Sequence, residues 1–200
     1  MSVAIVRYNA GNVFSVMCAM KRIGVEALVT DDPDALRRAD KVIFPGVGEA
    51  ASAMAYLREH RLDEVITSLT QPVLGICIGM QLLCSGSEEG QARCMGVFSD
   101  VEVRRFSNGG HPECKIPHTG WDTIAVTDAA NGLIAPALDG SHVYYVHSYY
   151  APLSRFTIAT TTYLLPYSAA LRRGNFYGTQ FHPEKSGGVG EGILRKFIEL

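Results

Sequence analysis

"VLGICIGMQLLC", residues 73–84, runs from a bare apolar stretch into two glycines that bracket one cysteine, and its reading decides the fold. "VLGI" (73–76) has the length and apolarity of a buried strand, whereas Met80, Leu83 and their neighbours follow helical spacing. Between them, Gly75, Cys77 and Gly79 meet the pattern Gly-x-nucleophile-x-Gly. Glycines there permit the crowded strand-to-helix turn that presents a nucleophile at the end of a sheet. A sulfur at the first turn of a helix faces unsatisfied amides, which favour the thiolate. The Ile78 amide is placed to donate to an oxyanion. A buried structural thiol is the competing reading, because free cysteines are among the most buried residues.

Upstream, strands and helices alternate. "VAIVR" (3–7), "VEALV" (25–29) and "KVIF" (41–44) read as strands. Helices are predicted over 12–24, where Val13, Val16, Met17, Met20 and Ile23 share a face, then in "DPDALRRA" and through "EAASAMAYLREH". Buried apolar strands separated by helices imply a mostly parallel sheet with right-handed crossovers, the α/β class. After about residue 96 the texture changes: "GVFSDVEVRRF", "WDTIAVT", "HVYYVHSYYA", "TIATTTYLL" and "NFYGTQFHPE" are rich in β-branched and aromatic residues. These are expected to add strands, some antiparallel, before a closing helix, "GILRKFIEL". No repeat or Pro/Ser-rich linker divides the 200 residues, so one domain over 1–200 is expected.

Composition narrows the function. Eighteen basic against 20 acidic residues give a net charge of −2, so no bulk field draws the chain to nucleic acid or to an anionic membrane. No run approaches the roughly 20 apolar residues of a membrane span, and the start, "MSVAIVRYNAGN", does not read as a secretory signal. The five cysteines are odd in number and lack CxxC spacing, which argues against a disulfide framework or a metal site and for reduced thiols in the cytoplasm.

A second constellation favours the catalytic reading of Cys77. In "TQFHPEKS" (179–186), residues two apart along an extended segment point the same way, so His182 and Glu184 are expected on one side with Pro183 stiffening the link. A histidine oriented by a carboxylate can take a thiol proton and return it to a leaving amine. The other histidines read as structural or solvated: His60 on a helix, His111 and His118 in loops, His142 opening a strand, with His147 unassigned. Cys18 and Cys84 read as core, and Cys94 and Cys114 carry no constellation. In "FPGVGEA" (44–50), Gly46, Val47 and Gly48 follow a strand and let backbone amides approach a ligand, or form a mere turn.

With "GNVFSV", "KVIFPGVG", "GICIGMQLL", "KIPHTGWD", "YYVHSYYA" and "FHPEKS" in this order, the chain resembles the class I, or triad, glutamine amidotransferases. "IPHTGWD" combined with "HPEKS" resembles most the glutaminase subunits of imidazole glycerol phosphate synthases. The resemblance implies a flavodoxin-like three-layer sandwich and a Cys77–His182–Glu184 triad that hydrolyses L-glutamine through a γ-glutamyl thioester. It implies oxyanion donors at Val47 and Ile78, glutamine held by Gly48, Gln81, Glu89, Ser148 and Tyr149, and no cofactor or metal. It further implies that ammonia passes to a cyclase subunit with a (β/α)8 barrel, docked through Asn12, Trp121 and Lys185. There it would convert a ribonucleotide precursor into imidazole glycerol phosphate and an aminoimidazole-carboxamide ribotide, in histidine biosynthesis. The first loop departs from the family's usual Asp-Tyr-Gly-x-Gly-Asn, reading "RYNAGN" with Arg7 and Asn9. A glutaminase serving another synthase, a cysteine peptidase or redox protein on a similar elbow, and a non-catalytic binding subunit stay open on sequence alone.

Overall fold

A computed structural model describes residues 1–9, 12–110 and 114–200. His111 lies outside the described residues. The central sheet has eight strands: β1 (Val3–Val6), β2 (Ala27–Thr30), β3 (Lys41–Phe44), β4 (Val73–Ile76), β9 (Ala125–Val126), β12 (Thr157–Tyr163), β13 (Leu165–Arg173) and β14 (Phe176–Thr179). Their order is β2-β1-β3-β4-β14-β13-β12-β9, parallel from β2 through β14 and antiparallel beyond it. The parallel part follows the flavodoxin-like order.

Successive side chains of a strand face opposite ways, and here each face builds its own core. Ala4, Val6, Val42, Phe44 and Val73 pack with α2 (Pro33–Arg38), α3 (Ala50–Glu59), α4 (Leu62–Ser68) and α5 (Ile78–Leu82). Val3, Ile5, Ile43, Leu74 and Ile76 pack with α1 (Val13–Arg22) and α6 (Gly187–Glu199). The result is a helix–sheet–helix sandwich. Local chemistry explains the edges of some elements: the Asp34 amide donates to Asp32 Oδ1 at 3.0 Å, with Pro33 opening α2.

Two small sheets stand apart from the central one. β8 (His118–Thr123) pairs antiparallel with β10 (His142–His147). β5 (Cys84–Ser87), β6 (Ala92–Arg93), β7 (Phe98–Arg105) and β11 (Tyr149–Tyr150) form the other.

Several expectations are corrected. The second strand begins at Ala27 rather than at residue 25. Met17 is exposed rather than on the buried face of α1, and Cys18 is only half-buried, because the buried stripe is Val16, Ala19 and Met20. His118, expected in a loop, sits buried at the start of strand β8, every residue of which pairs with β10. The sequence reading missed α4, although Leu62, Val65 and Ile66 have helical spacing, and it missed β5, β6 and β13. The closing helix begins at Gly187, ahead of the predicted stretch.

Candidate active site

Cys77 sits between β4 and α5 with φ 53° and ψ −111°, a left-handed backbone that a non-glycine residue adopts only when its surroundings hold it there. Its amide donates to the Thr179 carbonyl on β14 at 2.7 Å. The bracketing glycines are required by space. A Cβ on Gly79 would overlap the Phe44 carbonyl oxygen at the end of β3, and one on Gly75 would lie 2.8 Å from the Gly79 carbonyl. Helix α5 thus lies directly against the strand ends, and the sulfur stands where ligands gather in open α/β sheets, beyond the carboxyl ends of the strands.

Beside it, the His182 Nδ1–H donates to Glu184 Oε1 at 2.7 Å, both side chains being buried. Their meeting does not come from an extended segment. Pro183–Lys185 is a single 3₁₀ turn, closed by the Lys185 amide on the His182 carbonyl at 3.0 Å and by Ser186 Oγ, which donates to that carbonyl at 2.6 Å and accepts the Tyr144 amide at 3.0 Å. Burial works against a charge on His182, but the Cys77 sulfur and the Glu184 carboxylate outweigh it and push the imidazole up to about 10. His182 Nε2 has no aligned hydrogen-bond partner among the described residues.

A cavity of about 300 Å³ opens on the sulfur, and Val47, Gly48, Cys77, Ile78, Gln81, Glu89, Ser148 and Tyr149 all line it. Every position expected to bind substrate or oxyanion is thus in one place, and this volume lies at the small end of ligand sites. His182 and Glu184 stand behind the nucleophile instead of in the cavity wall. The geometry adds detail that sequence did not carry. Gln81 Nε2 donates to the Tyr149 carbonyl and to Gln180 Oε1, each at 2.9 Å, so both its amide protons are occupied and only Oε1 is left for a ligand. Glu89 Oε2 accepts the Ala50 amide at the start of α3 at 2.9 Å, and burial raises its carboxyl above the ordinary value.

Three groups at the site went unread. Gln180 Nε2 points at the Cys77 sulfur from 3.7 Å, the Val146 carbonyl lies 3.9 Å from it, and His147 lines the cavity. Gln180 lies two residues before His182 in the same run, the one signal that was available. Cys84 is fully buried and burial raises its thiol, as expected of a core cysteine. Cys94 is also buried, its thiol pushed up to about 11.

Comparison with known proteins follows the same lines. The family described as glutamine amidotransferase class-I matches residues 7–200. The chain belongs to the class-I glutamine amidotransferases. Among relatives of this amidotransferase, the imidazole glycerol phosphate synthase subunit HisH of Bacteroides fragilis is 54% identical, covering 100% of both chains. The subunits of the same name from Idiomarina loihiensis and Escherichia coli K12 are 44% and 42% identical, covering 100% of this chain and 98% and 100% of theirs. A solved structure described as a glutamine amidotransferase superposes with TM-score 0.73 at 21% identity, covering 99% of this chain and 98% of the other. PurLQS from Thermotoga maritima gives 0.70 at 17% identity, covering 99% and 97%. These two speak for the fold alone.

The residues expected at a partner surface also come together in this amidotransferase. The exposed Trp121 indole meets the Tyr144 ring edge-on at 5.9 Å, and Lys185 Nζ lies 5.8 Å over that same ring. Asn12 Nδ2 reaches Glu184 Oε1 at 3.4 Å. The Trp121 indole is thus at the surface and not packed in the core. Arg7, the departure in the first loop, pairs with Asp31 at 2.7 Å. No helix among the described residues is long and apolar enough to cross a membrane.

Proposed function

We propose that this chain is the glutaminase subunit of an imidazole glycerol phosphate synthase, its residues 1–200 forming one amidotransferase domain that works in the cytoplasm. The observation that carries the reading is the Cys77 elbow, opening on a cavity of about 300 Å³, with the His182–Glu184 pair set behind the sulfur. Full-length similarity to the HisH subunits supports the choice of synthase.

In this reading the Cys77 thiolate attacks the side-chain carboxamide carbon of glutamine, forming the S–C bond. The Val47 and Ile78 amides hold the oxyanion. His182 gives its proton to the leaving nitrogen as the C–N bond breaks, and ammonia departs. Water then adds to the thioester carbon, returning a proton to His182, and cleavage of the C–S bond frees glutamate. Glu184 keeps the imidazole oriented throughout. Gly48, Gln81 through Oε1, Glu89, Ser148 and Tyr149 hold the substrate. The chemistry calls for no metal or cofactor.

Ammonia goes to a (β/α)8-barrel cyclase docked on the surface of Asn12, Trp121 and Lys185. Phe14 and Met17, large and exposed on α1 next to Asn12 in the chain, extend the apolar part of that surface. Val47 is 40% exposed in the loop after β3, where a docked partner could bear on the oxyanion donor, and partner-dependent closure is part of this reading.

The test is glutamine hydrolysis by the isolated chain and by the chain with a cyclase and its nucleotide ligand. Turnover is expected to rise sharply in the complex. Equal rates would remove the gating, and absence of turnover in both, with no alkylation of Cys77 by a reactive glutamine analogue, would overturn the glutaminase assignment.

A further inference from the structure

The Tyr149 carbonyl, in the cavity wall, is gripped from two sides. Gln81 Nε2 donates to it from α5 at 2.9 Å, and His147 Nδ1 lies 2.7 Å away at the end of β10. A carbonyl oxygen has two acceptor sites, and both are filled. We propose that His147 is a positioning residue for glutamine: by holding the Tyr149 peptide against Gln81, it ties the nucleophile's helix to the opposite wall before substrate arrives. The inference rests on the glutaminase reading above.

The polarity of the contact follows from chemistry. A carbonyl can only accept, so Nδ1 carries the proton and Nε2 presents its lone pair. That lone pair faces the Tyr167 hydroxyl at 3.4 Å, making Tyr167 its donor. The Tyr167 oxygen also lies 3.3 Å from His118 Nδ1, and His118 Nε2 lies 3.5 Å from Asp122. Burial pushes His147 down to about 3, so the ring stays neutral and this tautomer persists across the working pH range.

The bland alternative is that His147 merely fills an aromatic core. Its ring centroid does lie 5.4–5.6 Å from those of Phe106, Tyr145 and Tyr167. Phenylalanine would fill that space without desolvating two ring nitrogens, and burying polar atoms is offset only by bonds made well. The shorter of the two contacts made by His147 goes to the substrate wall. The Phe106 amide holds the preceding carbonyl, that of Ser148, at 3.0 Å. Consecutive peptides of the wall are thus fixed in orientation, which lowers the ordering cost of binding.

The experiment is steady-state kinetics of the cyclase complex with His147→Leu and His147→Asn. Leucine removes the donor, and KM for glutamine is expected to rise about tenfold, the scale of one lost buried hydrogen bond, with a smaller loss in kcat. The asparagine amide sits where Nδ1 does and is expected to bring KM back to within about threefold of wild type. An unchanged KM in a folded leucine variant, or a folded asparagine variant with KM raised tenfold, overturns the proposal. Should the leucine variant fail to fold, the asparagine variant alone decides it. Wild type that neither hydrolyses glutamine nor reacts at Cys77 sinks the glutaminase reading itself, a result distinct from a working wild type whose KM ignores His147.

Discussion

The two walls of the cavity come from differently built parts of the molecule. Cys77, Ile78 and Gln81 belong to β4 and α5, in the parallel half, where the geometry is set within a few residues by close approach at Gly75 and Gly79. Val146 to Tyr149 belong to β10 and β11, in the two small sheets, held by pairing with β8 and β7 and by the aromatic cluster behind them. In the proposed function the first wall carries the nucleophile, with Gln81 sharing in substrate binding, and the second wall carries recognition alone. A strained elbow is a local device, whereas a wall that must fit a ligand's shape is assembled from distant segments.

Three measurements probe that division. The largest effect is expected for Cys77→Ala, which should lower glutamine turnover by about 10⁴-fold or more while glutamine binding persists. Cys84→Ala, at a buried thiol outside the cavity, should keep turnover in whatever fraction stays folded. Comparable losses in folded protein at both positions would break the distinction. Next, Gly79→Ala should destabilise by about 1–3 kcal/mol through overpacking and lower Tm by several degrees. Gly188→Ala is its control, because a Cβ there meets nothing within 4 Å. Equal melting temperatures would mean that the elbow is looser than its contacts imply.

The third measurement concerns the second wall. Unfolded, the His147 imidazole takes up a proton near 6.5, but folded it does so only near 3. Between those values the unfolded chain binds the extra proton, so this contribution is complete above about pH 6.5 and is lost as pH falls toward 3. Wild type should therefore lose stability on acidification more steeply than His147→Asn, with a difference on the order of a few kcal/mol near pH 4. Parallel melting curves across that range would show that the ring is not held neutral by burial.

Much of the parallel half was legible, because apolar runs such as "KVIF" and "VLGI" coincide with β3 and β4 to the residue. The antiparallel part was read only as texture. β13 escaped because "LPYSAALRR" opens near a proline and lacks clean alternation, being buried on both faces along much of its length. His118 was placed in a loop because proline and glycine flank it, and His147 could not be assigned because its meaning lies in Tyr149, Tyr167 and the cavity. The His182–Glu184 pair was anticipated by an extended geometry that the chain does not adopt; proximity over one proline-stiffened turn does the same work.

The sequence by itself determined the tight strand-to-helix turn and the cysteine that it displays, since glycine spacing and apolar period act over a handful of residues. Only the tertiary structure decided that His182 stands beside Cys77. β14 lies parallel to β4, with Thr179 opposite Ile76, and this pairing delivers Gln180 and His182 to the sulfur. Strand order is chosen by the burial of whole faces against helices, a property of the assembled sheet that no local pattern encodes.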